Sequence, residues 1–153
     1  MIKYFIYIIL ALSFSNFSYA EDVSIKENIN LSFVCDLDKK IIKNSDHNYK
    51  TFFTKDLNET RLDKFQIESI KPKTLIIKGL SIFLSNSKKL KVKVVNKDVI
   101  LFKAIDIEKK YSESAIVDRK SGELIHEITK NIKSENSEKY ISFYSCSKKD
   151  EKV

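Results

Sequence analysis

Glycine occurs twice, proline once and tryptophan not at all in these 153 residues. With only Gly79 and Gly122, no glycine-rich loop can be built to cradle a phosphate, so the common nucleotide-binding motifs are excluded. Histidine also occurs only twice. His47 sits in the polar run Asn44-Ser45-Asp46-His47-Asn48, and His126 alternates with Ile125 and Glu127. No spacing links either to a metal-ligand set or a nucleophilic triad, and both are expected to be solvated surface residues. Arginine is limited to Arg61 and Arg119, so lysine carries nearly all of a net charge of +7. Lysine is a hydrated point charge, poorly suited to bidentate reading of bases or phosphates, and no nucleic-acid partner is expected. Long apolar runs are also missing, apart from one near the start.

That run is Phe5 to Leu12, within MIKYFIYIILALSFSNFSYA. A lone positive charge at Lys3, a short apolar middle and Ser18-Tyr19-Ala20 form the layout of a secretory signal, with cleavage expected between Ala20 and Glu21. A retained anchor would need about 20 mostly apolar residues, and Ser13, Ser15, Asn16 and Ser18 interrupt this one. The mature chain begins Glu21-Asp22-Val23, with no cysteine to carry a lipid. The reading is therefore a signal peptide over 1–20 and a single β-rich domain over 21–153, periplasmic or secreted, with no membrane span after cleavage. Loss of Lys3 lowers the net charge to +6.

Two cysteines remain, Cys35 and Cys146. In an exported chain an even count is read as one disulfide. It would join the first clear strand to the last. Nothing resembles a CxxC redox motif.

Period-2 alternation dominates the mature chain. Ile29, Leu31, Phe33 and Cys35 share one face, and Leu90-Lys91-Val92-Lys93-Val94 alternates most cleanly. Further strands are expected at Tyr49–Thr54, Phe65–Glu68, Thr74–Lys78, Val99–Phe102, Glu113–Val117, Glu123–Ile128 and Tyr140–Cys146. Asp118-Arg119-Lys120-Ser121-Gly122 reads as a tight hairpin with glycine placed for positive φ. The stretches 56–64 and 128–139 could hold a helical turn or polar loops, and the charged tail 147–153 is expected to fray. The fold class is all-β: a small antiparallel barrel or sandwich of about eight strands, with neighbouring terminal strands favouring closure.

Candidate chemistry is sparse. Asp36 and Asp38 could offer carboxylates to calcium, but the further oxygen ligands and turn glycine are absent, and a charged strand end is the better reading. No cofactor and no metal are expected. Lys88, Lys89, Lys91, Lys93 and Lys97 form the strongest charge feature. The stripe either meets an anionic partner or blocks edge-to-edge association of a half-exposed strand. The layout of signal, small β-domain and single disulfide resembles that of periplasmic lysozyme inhibitors of the small β-barrel type, which implies a wall-degrading enzyme as partner.

The leading expectation is a non-enzymatic binding protein of the cell envelope, with an acidic glycan, a lipid headgroup or a protein as partner. One alternative is a small hydrolase whose site is assembled from scattered acids. The other is a lipocalin-like carrier, which requires that Phe33, Phe53, Phe65, Phe83, Phe102 and Phe143 leave the interior empty.

Overall fold

Apolar side chains at every second position give strands that bury one face, and in the computed structural model nine of them close on one core. The structure describes residues 29–58, 61–71, 74–86 and 90–148. The strands are β1 (Asn30–Lys43), β2 (Lys50–Phe53), β3 (Arg61–Lys71), β4 (Thr74–Lys78), β5 (Lys91–Val95), β6 (Val99–Asp106), β7 (Tyr111–Asp118), β8 (Glu123–Lys130) and β9 (Glu138–Lys148). Among the described residues a single short α-helix, α1 (Ile82–Asn86), stands between β4 and β5. The expected signal segment 1–20 and the expected cleavage site lie outside the described residues, as do Lys88 and Lys89.

The strands run in the order β4-β3-β1-β9-β8-β7-β6-β5, and β2 pairs β1 beside β3. Every pairing is antiparallel. The result is a nearly closed antiparallel barrel of eight strands, with β2 and β3 following one another along the same side of β1. β4 and β5 border its remaining gap, and the segment carrying α1 connects them. Because the chain meanders up and down, its connections alternate between two ends. Loops 44–49, 107–110 and 131–137 and the described residues 79–86 share what we call the upper end. Turns 96–98 and 119–122 share the lower end.

Closure depends on the seam between first and last strands. Cys35 and Cys146 are register partners on β1 and β9 with Cα atoms 4.0 Å apart, and their sulfurs lie at bonding distance, 2.04 Å. The bond closes a sequence separation of 111. A loop of that length gives about 4–5 kcal/mol by the chain-entropy argument.

Eight strands enclose just enough space for side chains to fill. Phe33, Phe65, Phe102, Ile67, Ile77, Ile100, Val117 and Leu124 are fully buried, and Leu84 of α1 joins them. Phe33 and Phe65 stack with ring centroids 5.6 Å apart. Three of the six phenylalanines that a carrier would need to leave the interior empty therefore fill it. Phe83 is partly buried against the core, Phe53 is 54% exposed, and Phe143 lies half-buried beneath Lys39 Nζ at 4.7 Å. The register of β1 shifts between Leu37 and Lys39, which places Lys39 opposite Phe143.

Other local expectations change. Residues 54–56 form a 3-10 turn, and β3 already begins at Arg61. Ser147 and Lys148, placed above in the frayed tail, belong to β9 and pair with Val34 and Phe33. Asp36 and Asp38 do not end a strand, since β1 continues to Lys43. α1 was not foreseen. It follows Gly79, whose φ is +81° and whose added Cβ would stand 1.5 Å from the Lys64 carbonyl oxygen. Only glycine can turn the chain off β4 there.

Candidate functional site

Four polar side chains meet inside the upper half of the barrel: Glu113, His126, Tyr111 and Ser81. Their strands place them there by parity. On β7, Tyr111, Glu113, Ala115 and Val117 share the inward face, and on β8 Leu124 and His126 do. Ala104 lies opposite Glu113 and Ala115 opposite His126, so small residues make room for the larger polar ones. Glu113 is 1% exposed and His126 5%. His126 is therefore not the solvated residue expected above; it belongs to the core.

Glu113 is the hub. Tyr111 donates its hydroxyl to Oε1 at 2.5 Å, and His126 Nε2 lies 2.9 Å from Oε2. The Ser81 hydroxyl is the third donor. Burial by itself raises the carboxyl pKa, but the hydrogen bonds from His126, Tyr111 and Ser81 outweigh it and hold the group below its usual range. Glu113 is thus an ionised acceptor, which requires His126 Nε2 to carry the proton it shares. Tyr111 moves the other way. Burial, its bond to Glu113 and the nearby negative charge push its pKa well above the ordinary tyrosine value.

Ser81 serves two partners at once. Its Oγ accepts the Leu84 amide at 3.0 Å, capping α1. Phe83 of α1 meets the Tyr111 ring edge-on at 4.8 Å between centroids. The cluster consequently ties the helix to β7 across the interior. It differs from a nucleophilic triad in its order. In a triad the histidine stands between hydroxyl and acid, and here the acid stands between serine and histidine. Ser81 makes its recorded side-chain bonds to Glu113 and Leu84, not to the imidazole. The depression beside it, about 390 Å³, is lined by Gly79, Leu80, Ser81, Ile82, Ser85 and Asn86, and includes neither the acid nor the histidine.

The residues singled out from sequence are dispersed. Lys91 and Lys97 are exposed, the first at the start of β5 and the second in the turn beyond it. Lys93 lies between them in a strand whose register slips between Val92 and Val94, so the uniform alternation expected there breaks. His47 packs its ring on Phe52 at 5.2 Å. Asp36 approaches Arg61 at 3.8 Å, and Asp38 accepts the Ser145 hydroxyl at 2.7 Å. Arg119 donates to the Asn96 carbonyl at 2.8 Å, pinning the lower hairpin to its neighbouring turn. Among the described residues no group of three or more His, Cys, Asp or Glu could hold a metal ion.

Fold and cluster together define a disulfide-closed, up-and-down β-barrel with an internal acid–histidine latch. Comparison with protein-family models, curated proteins and solved structures finds no match.

Proposed function

We propose that this is an exported, non-catalytic binding protein of the cell envelope that meets an acidic partner through its outer surface. One observation carries the reading: the acid–histidine pair is sealed inside the barrel and committed to fastening α1. A reacting group must reach its substrate, and these do not. A carrier needs an empty interior, and Phe33, Phe65 and Phe102 occupy this one. The net charge favours an acidic partner by long-range attraction. Export is supported by the disulfide and by the signal-like first twenty residues. No helix among the described residues is long and apolar enough to cross a membrane.

The test is a melting-temperature screen of the purified protein against acidic envelope glycans, anionic lipids and soluble envelope proteins. One class should raise the melting temperature in a saturable way. Turnover in a hydrolase panel that disappears in Glu113→Gln, while that variant stays folded, would overturn the proposal.

A further inference from the structure

Six large hydrophobic side chains are exposed among the described residues: Tyr49, Phe53, Ile82, Ile105, Ile107 and Ile116. Four of them stand at the upper end of the barrel. Tyr49 leaves loop 44–49, Ile82 opens α1, Ile105 is next to last in β6, and Ile107 lies in the β6–β7 turn. Ile82 and Ile107 are 81% and 82% exposed, far beyond the others. A single exposed isoleucine is ordinary. A set gathered on one end asks for a partner.

The loops that carry them form one rim. Phe83 packs on Tyr111 beside the β6–β7 turn. The Ile132 amide donates to the Lys110 carbonyl at 3.0 Å, joining loop 131–137 to the same turn. Lys43 Nζ donates to the Ser137 carbonyl at 3.1 Å, joining that loop to the end of β1. The rim is also where the backbone is strained. All four non-glycine residues of positive φ recorded for the described chain lie in it: Tyr49, Lys110, Asn131 and Lys133. Such conformations persist where the surroundings impose them, and they gather at working surfaces. Lower-end turns 96–98 and 119–122 carry none of the six exposed hydrophobics.

We infer that the upper rim docks on an anionic bilayer surface, with Ile82 and Ile107 entering the headgroup–acyl boundary and Tyr49 resting at headgroup level. This rests on the binding reading above and names its partner. Lys43, Lys50, Lys109, Lys110 and Lys133 stand among the apolar tips, together with Asp46, Glu108 and Glu135. The rim itself is thus only mildly basic. Attraction to acidic headgroups comes from the net charge of the whole mature chain, +6 once Lys3 is removed, and the isoleucines supply the depth. A soluble glycan would leave both isoleucines in water. A second copy docked end to end would bring lysine against lysine.

The test is co-sedimentation of the purified protein with vesicles of phosphatidylglycerol and phosphatidylethanolamine, and with pure phosphatidylcholine vesicles. Binding should favour the anionic vesicles and weaken in salt. The double variant Ile82→Ser, Ile107→Ser should lose about tenfold or more in partitioning, as two buried isoleucines require. Ile116→Ser, which removes an exposed isoleucine from the outer wall, should stay within about twofold of the parent. All three proteins should melt alike, since the changed positions are exposed. Absence of vesicle binding, or equal losses in the rim and wall variants, would overturn the inference. If an acidic glycan or protein still raised the melting temperature, the envelope-binding reading would stand without the lipid. Rim-dependent capture of a single protein, with vesicles ignored, would also overturn the choice of lipid.

Discussion

At the lower end of the barrel the turns are tied to one another by short polar bonds, whereas at the upper end longer loops surround a buried charge. Below, Asp118 Oδ1 accepts the amides of Lys120 and Ser121, and these bonds lower its pKa. Arg119 and Lys120 reach across to Asn96 and Asp98. Gly122, at φ +78°, lets the hairpin close against the Cys146 carbonyl, and the disulfide lies on the same seam. Above, four non-glycine residues take positive φ, three isoleucines are exposed, and Glu113 is held as an anion in the core. The lower end is built for closure. The upper end spends stability on a short helix and on exposed apolar tips, which is where a binding surface is expected.

The contrast can be broken most severely from below. Cys146→Ser should cost about 4 kcal/mol or more, because the unfolded chain regains the freedom of a very long loop. Urea titration with and without reductant checks it, and the parent under reduction should match the variant. Glu113→Ala should come next, at about 3 kcal/mol, since it strands the buried His126 donor and the half-buried hydroxyls of Tyr111 and Ser81. Glu113→Gln keeps the shape and should cost less, so the difference between the two separates lost packing from lost charge.

Acid titration sharpens the upper half of the comparison. The folded Glu113 pKa lies below the unfolded value near 4.5. Its contribution is complete above that value and drains away as pH falls through the depressed one. Tyr111 is raised above 10.0, so its contribution is complete below that pH and is lost as pH climbs. Denaturant midpoints of the parent should therefore form a plateau between these limits. In Glu113→Gln the acid limb should flatten. Arg119→Ala should have the smallest effect, about 0.5–1 kcal/mol, because its recorded bond to the Asn96 carbonyl is exposed.

Much of the closure was legible in the residues. Alternation located the strands, and two cysteines near the ends of the domain implied adjacent terminal strands. Gly122 marked the hairpin. The upper end was not legible. His126 alternates with Ile125 and Glu127, but it is Leu124, His126 and Ile128 that define the inward phase. Both faces of β8 carry large aliphatics, so hydropathy alone does not choose between them. Glu113 shares its parity with Ala115 and Val117 on β7, and that signal was available. An acid on an apolar face calls for a partner on the adjoining strand, and only the register of β7 against β8 shows that partner to be His126. α1 leaves no periodic signal because five residues are too few for helical periodicity.

The proposed function requires that Glu113 fasten α1 across the gap between β4 and β5, leaving the outer surface for binding. Amide hydrogen exchange of the parent and Glu113→Gln tests this directly. Protection should fall at Leu84 and Ser85, whose amides bond to Ser81, while the β1–β9 pairs around Cys35 and Cys146 keep theirs. Unchanged protection in α1, or a uniform loss over the whole barrel, would contradict the latch.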